Sequence, residues 1–441
     1  MLETLFVDNF KALHNLELKN LKKLNVFIGQ NSSGKSSILQ SIAFLAQSVD
    51  HAITYEGIMA DLGSFERTVF GHRRRRQIRI ELAYSIAPKE GFFLRIKRGK
   101  KPIILRGSTK VHIAVEIGKS GITRQELKCP ELGIECDFHT VITDQRFTEE
   151  RLVLNGKPAK RQGNAISHLL MWNVDKILPK KREKQRKAAM QQQIDITNEL
   201  LRIVRDRLNA TFYFSTTRAI KEWSQDLRET NSFGALGQDT ISMLHQIYSN
   251  DPYTFQRIAK WIDKMGVGTL FSTVKGARSS ILLGDPVLEV KSNLVNSGFG
   301  INQLISVIGQ CFASPQGSVI MIEEPEISLH PGAIGVLADM FLETISNEKQ
   351  ILLSSHSDRL ILELWARVKL GLVDRKDVAL YLVEKTSKGV TAREIELDQR
   401  IEEIKREISS LYEPKSPLED LLSVAEKSGD KDLSKKDLSD L

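Results

Sequence analysis

Eight residues, Gly29-Gln30-Asn31-Ser32-Ser33-Gly34-Lys35-Ser36, constrain this chain more than any other stretch. They match the G-x-x-x-x-G-K-[ST] pattern of a P-loop. An apolar run, Leu24-Asn25-Val26-Phe27-Ile28, precedes them, and Ile38, Leu39, Ile42, Ala43 and Leu45 follow at helical spacing. Buried strand, Gly-containing turn and helix form the context that this pattern requires. Gly29 and Gly34 let the backbone curl around phosphate with its N–H groups inward. The helix start points its positive dipole end at the anion. Lys35 is then placed to reach the β and γ phosphates of a nucleoside triphosphate, and Ser36 to offer a hydroxyl to Mg²⁺. Asn31, Ser32, Ser33 and Ser37 belong to the same nucleotide-binding turn.

Three further elements carry chemistry. In Ile320-Met321-Ile322-Glu323-Glu324-Pro325-Glu326 an apolar strand ends in two adjacent carboxylates, as in a Walker B motif. Glu323 is expected to hold Mg²⁺ through water, because Mg²⁺ keeps several of its waters. Glu324 is expected to orient or deprotonate the attacking water. Taken alone, an acidic strand end is usually a solvated loop, and the P-loop beside it reverses that reading. His356 directly follows the run Leu352-Leu353-Ser354-Ser355 and is placed to donate to a γ phosphate. Finally, Asn296-Ser297-Gly298-Phe299-Gly300-Ile301-Asn302-Gln303 opens an apolar helix over 301–312, and N–H groups at a helix start suit an anion.

The remaining sequence is read more coarsely. A chain of 441 residues is too long for one ordinary core, so two or three units are expected. From 77 to 142, runs such as Ile78-Arg79-Ile80-Glu81-Leu82 alternate with period two and predict an antiparallel β layer. Residues 165–265 read as mostly helical, with a strand near Thr211-Phe212-Tyr213-Phe214 and no sustained heptad repeat. The expected divisions are 1–160 (P-loop lobe and β layer), 161–282 (mainly helical insertion), 283–397 (lobe with the acidic strand end) and 398–441 (charged helical tail, its last dozen residues disordered).

Composition narrows the class. No apolar run reaches the roughly 18 residues of a membrane span. The opening Met1-Leu2-Glu3-Thr4-Leu5-Phe6-Val7 reads as a strand and not as a signal peptide. Cys129, Cys136 and Cys311 form no CxxC pair, so the pattern supports neither zinc nor a disulfide scaffold, and a cytoplasmic location is expected. The net charge of +8 favours a polyanionic partner only mildly. Arg73-Arg74-Arg75-Arg76 and the basic run over 180–187 are candidate phosphate contacts or simply solvated charge.

Taken together and in this order, the four elements resemble the bacterial ABC-type ATPases grouped with the OLD (overcoming lysogenization defect), RecF and SMC proteins. Phe6-Val7-Asp8-Asn9-Phe10-Lys11-Ala12-Leu13 is similar to that group's first strand. Glu323-Glu324-Pro325-Glu326-Ile327-Ser328-Leu329-His330-Pro331 is similar to its Walker B and D-loop, and Ser297-Gly298-Phe299-Gly300-Ile301-Asn302-Gln303 to its degenerate signature. Asp61-Leu62-Gly63-Ser64-Phe65-Glu66 and Phe214-Ser215-Thr216-Thr217-Arg218 also resemble stretches of the group. Glu323 stands where general ABC heads have Asp, and the Q-loop glutamine is open between Gln77 and the 64–66 region.

The resemblance implies an α/β fold, an ABC-type P-loop NTPase head with an antiparallel β layer and a helical insertion. It implies Lys35, Glu324 and His356 as the catalytic set and ATP with Mg²⁺ as ligands. It also implies a head-to-tail dimer, or a higher oligomer, in which Ser297, Gly298, Gly300 and Asn302 contact the γ phosphate on the opposite subunit. Three roles compete: a regulatory ATPase of an anti-phage defence system with a separate nuclease or toxin, a RecF-type clamp acting directly on DNA, and a transporter motor. The short stretch after His356 speaks against a Toprim nuclease domain, and Glu323 with the large insert against a transporter.

Overall fold

In a computed structural model of the chain, the described residues are 1–49, 52–86, 93–94, 103–104, 109–143, 147–162, 173–177 and 187–412. The chain divides into two compact units, Met1–Ile395 and Glu396–Leu441. Of the second, the helix Leu397–Tyr412 is described. The last dozen residues, expected to be disordered, lie outside the described residues.

Two sheets organise the first unit. One has six strands in the order Thr211–Phe214, Val319–Glu323, Gln350–Ser355, Leu24–Ile28, Val378–Thr386 and Gly389–Ile395. Its first five strands pair in parallel and the last is antiparallel. The apolar runs read from sequence are its centre: every residue of Leu24–Ile28, Val319–Glu323 and Gln350–Ser355 is buried. Strands covered on both faces have this composition.

The second sheet has nine strands among the described residues, is antiparallel throughout, and runs from Asn173–Ile177 to Leu16–Leu18. It is larger than the β layer read over 77–142, because the strands of 147–177 and the opening strand Leu2–Asp8 join it. The helix Lys35–Gln47 contributes Ile38, Leu39, Ile42, Ala43, Phe44 and Leu45 to one apolar core shared with both sheets. Gln350 also stitches the sheets together. Its side chain accepts from the Leu2 N–H at 2.9 Å and donates to the carbonyls of Leu2 and Lys22, both at 2.8 Å.

The segment 161–282, expected to be mainly helical, is mixed. It holds the helices Lys187–Asn209, Thr240–Asn250 and Pro252–Lys264. It also holds strands of both sheets, plus Thr269–Lys275 and most of Arg278–Asp285, which pair with each other in a small third sheet. The strand expected at Thr211–Phe214 is present and pairs with Val319–Glu323, and Arg278–Asp285 alternates between buried and open positions, a strand pattern and not a helical one. The expected divisions at 160, 282 and 397 each fall inside or at the edge of an element. All three cysteines are free and buried.

Candidate nucleotide-binding site

The P-loop turn joins two central elements. Gly29 has φ 151°, and a Cβ there would lie 2.2 Å from the Val383 carbonyl oxygen. Gly34 has φ 111°, and its Cβ would lie 2.6 Å from Val390. Both glycines are therefore required by close approach as well as by conformation. Gly34 leaves the helix Lys35–Gln47 without a side-chain cap, so its N-terminal N–H groups suit an anion. The Lys35 ammonium donates to the carbonyls of Gly29 and Gln30, each at 2.9 Å. Burial holds its pKa below the ordinary lysine value, opposed by Glu324, Glu323 and Glu326. Ser33 Oγ is buried with no partner.

A cleft of about 290 Å³ lies over this turn, lined by Ala12, residues 31–37, Glu324 and His356. The sequence places these groups far apart, and the parallel sheet brings them together. Glu324 Oε1 stands 3.6 Å from His356 Nε2, too far for a direct hydrogen bond and close enough to share one water. Glu324 itself has φ 43°, in the left-handed region, and its N–H donates to the Ser354 carbonyl at 2.9 Å. Such a backbone persists only where neighbours hold it. Glu326 fixes the other side: its Oε1 accepts from Ser355 Oγ at 2.6 Å and from the His356 N–H at 3.1 Å.

Glu323 is buried, 5 % exposed, and both its oxygens are engaged. Tyr213 donates to Oε1 at 2.7 Å and Thr216 Oγ1 donates to Oε2 at 2.9 Å. Behind Tyr213, Gln40 Nε2 donates to the phenol oxygen at 3.2 Å, and Lys11 Nζ donates to Gln40 Oε1 at 2.6 Å. Burial raises the Tyr213 pKa and lowers that of Lys11, the latter opposed by Glu323. Ser36 and Glu323 are hard oxygen donors of the kind Mg²⁺ takes, and each Glu323 oxygen retains a second lone pair for a metal-bound water. Among the described residues no cluster of His, Cys, Asp and Glu forms a metal site by itself. Mg²⁺ shared with phosphates fits that donor set.

Four side chains that brace the candidate site were not singled out from sequence: Tyr213, Thr216, Arg218 and Gln40. Arg218 is fully buried and donates to the carbonyls of Gln303 (2.9 Å), Ser215 (2.8 Å), Glu323 (2.6 Å) and Glu324 (3.1 Å). Burial pulls its pKa down to about 10, opposed by Glu326, Glu323 and Glu324, so it stays charged at neutral pH. The usable signal was a hydroxyl and a cation just after an apolar strand, in Phe214-Ser215-Thr216-Thr217-Arg218.

The signature segment stands apart from this cleft. None of Ser297, Gly298, Gly300 and Asn302 lines the cleft of its own chain. Gly298 is exposed, with nothing near an added Cβ, and remains open to a ligand from outside the chain. Asn302, expected to contact nucleotide, is instead buried: its Oδ1 accepts from the Ile220 N–H at 2.6 Å and its Nδ2 donates to the Ile220 carbonyl at 3.1 Å. Gly300 is held by packing, since a Cβ would lie 2.4 Å from the Ser328 carbonyl. Ser297 Oγ donates to the carbonyl of Leu294. Neither Gln77, which is exposed, nor residues 64–66 line the cleft. Of the basic runs, Arg73, Arg74 and Arg75 form an exposed turn, while residues 180–186 lie outside the described residues.

A parallel sheet that presents a P-loop, an acidic strand end and a histidine to one cleft, beside a large antiparallel sheet, defines an ABC-type P-loop ATPase head. The chain belongs to the AAA ATPase domain family, whose model matches residues 1–361. It is similar to the DNA replication and repair protein RecF of Lysinibacillus sphaericus (strain C3-41), 26% identical over 183 residues, which are 39% of this chain and 48% of that relative. RecF of Lactococcus lactis subsp. lactis (strain IL1403) is 30% identical over 88 residues, 20% of this chain and 25% of the relative. The chain thus spans half or less of the length of these curated relatives. Among solved structures, the SMC head domain from Thermotoga maritima aligns over 90% of this chain and 99% of that one, at 12% identity and a TM-score of 0.40. The SMC head bound to the C-winged helix domain of ScpA aligns over 91% and 99%, at 13% identity and a TM-score of 0.46. Among the described residues no helix is long and apolar enough to cross a membrane.

Proposed function

We propose that this chain binds ATP with Mg²⁺ over its P-loop, hydrolyses it, and closes head to tail with a second copy on two ATP molecules. The observation that carries this reading is the single cleft lined by Lys35, Glu324 and His356. Lys35 exchanges its two loop carbonyls for phosphate oxygens. The Glu324 carboxylate takes a proton from water as the water oxygen bonds to the γ phosphorus, and the bond to the β–γ bridging oxygen breaks, with its electron pair leaving on ADP. His356 donates to a γ oxygen and senses its departure. Mg²⁺, held by phosphate with Ser36 and Glu323, supplies charge neutralisation when bound.

The exposure of Gly298, outside its own chain's cleft, supports a contact with the γ phosphate of the opposite copy. Charge-assisted hydrogen bonds contribute about 1.5–3 kcal/mol each. A few of them, present with ATP and lost with ADP, reach the roughly 5.5 kcal/mol that a decisive switch requires. Single-turnover hydrolysis by the wild type and by Lys35→Ala tests the ATPase reading: activity that is equal in both contradicts it.

For the role of the clamp, the OLD-like stretch at 323–331 supports a regulatory ATPase of an anti-phage defence system, paired with a separate nuclease or toxin. The exposed turn at Arg73, Arg74 and Arg75, together with the similarity to RecF, favours a second reading, a clamp on DNA. Each phosphate neutralised adds about 0.9 to the log–log salt slope on duplex DNA. Purification from the native host separates the two: a bound nuclease or toxin supports the first, DNA alone the second.

A further inference from the structure

We infer that residues 213–220 form a strap that carries closure at the signature segment to the carboxylate pair of the same head, and so couples the two nucleotides of a dimer. The inference rests on the proposed two-headed closure. It is drawn from four attachments of one short stretch. Tyr213 and Thr216 hold the two oxygens of Glu323. Arg218 joins the Gln303 carbonyl, in the signature helix Phe299–Ala313, to the carbonyls of Glu323 and Glu324. Ile220 is paired through both its backbone groups to the Asn302 amide.

The geometry leaves the strap little freedom. Strand pairing of Thr211–Phe214 with Val319–Glu323 fixes its start. Beyond Phe214 the chain has no regular structure until the helix at Thr240, apart from the two-residue strand Gln225–Asp226, and these side chains anchor it together with the N–H groups of Ser215 and Ala219, which donate to the carbonyls of Ala235 (3.0 Å) and Leu236 (2.9 Å). Arg218 is wholly buried, and a displaced signature helix would strand one of its donors unless the guanidinium followed. Following it moves the Glu324 carbonyl, and Glu324 sits in a left-handed backbone that only its neighbours hold. Signature and general base are therefore one mechanical body within a head. Across a dimer they face different nucleotides, so ATP engaged at one site sets the base at the other. Tyr213, Thr216, Arg218 and Asn302 act as positioning residues in this device.

The test uses the full-length chain with a non-hydrolysable ATP analogue, comparing the wild type with Asn302→Ala and Thr216→Val. Three readouts apply: nucleotide affinity, dimer mass, and hydrogen–deuterium exchange of residues 320–326. The wild type should dimerise and slow exchange over 320–326. Both variants should bind nucleotide within about twofold of wild type and still dimerise, yet lose that slowing, and with ATP their kcat should fall about tenfold, equivalent to about 1.4 kcal/mol. Cooperativity in ATP should drop to a Hill coefficient of about one, as expected for independent sites. A wild type that stays monomeric overturns the two-headed closure and the strap with it. Variants that dimerise, keep the slowed exchange and keep wild-type kcat overturn the strap alone. Should Asn302→Ala fail to fold, Thr216→Val, which removes one hydroxyl at constant shape, decides by the same readouts.

Discussion

The phenol of Tyr213 donates to Glu323 Oε1 at 2.7 Å, in a site where both side chains are at least nine-tenths buried. The Walker B carboxylate is thus held by protein before any ligand arrives. Tyr213→Phe removes the donor without changing the shape of the ring. A lost hydrogen bond to a charged acceptor costs about 1.5–3 kcal/mol. Urea unfolding should show a loss of that order.

Lys35→Ala should separate binding from stability. The wild-type ammonium satisfies itself on two loop carbonyls, each 2.9 Å away, at the cost of burial. Its removal should weaken ATP at least about a hundredfold, as loss of several charge-assisted bonds implies. Melting of the nucleotide-free protein should change far less. Isothermal titration and thermal melting check the two halves.

Glu324→Gln should leave ATP affinity near wild type and reduce hydrolysis by about 10²–10⁴-fold, the range for loss of a general base. Asp at this position should recover little, because the shorter arm withdraws the carboxylate from His356, whose Nε2 stands 3.6 Å from Oε1. Single-turnover assays read both variants.

Lys349 gives a pH prediction away from the site. Its ammonium is buried and donates to the carbonyls of Cys311 (2.6 Å) and Phe312 (3.2 Å), near the end of the signature helix. Burial pulls its pKa from 10.5 to about 8. Between these values the unfolded chain binds more protons, so this group makes stability rise with pH from about 8 to 10.5. Cys311, pushed up by burial from 9.0 to about 11, works in the opposite direction over its own window. Comparing urea unfolding of wild type and Lys349→Met at pH 8 and pH 10 isolates the lysine: the wild type should gain stability relative to the variant at the higher pH.

What was legible in the sequence was what is local. The P-loop and the acidic strand end each declare themselves within about ten residues, through apolar runs and turn chemistry. Their meeting in one cleft follows from the parallel pairing of their strands, of which the sequence carried only the α/β fold that the resemblance implied. Arg218 and the Glu323 carbonyl are 105 residues apart, and Asn302 and Ile220 are 82 apart. No spacing rule links such pairs. Asn302 was misassigned for that reason: a polar residue after a Gly-rich turn reads as a ligand until its partner is known. Within 161–282 the strand at Thr211–Phe214 was legible from its own apolar run and is present, whereas Asn173–Ile177 and the pair Thr269–Lys275 and Arg278–Asp285 were not read as strands.

The central claim is that ATP, and not ADP, closes two heads. Light scattering of the Glu324→Gln protein with saturating Mg²⁺ and either nucleotide measures this directly. A dimer mass with ATP and a monomer mass with ADP is the expected result. The same mass in both nucleotides would contradict it.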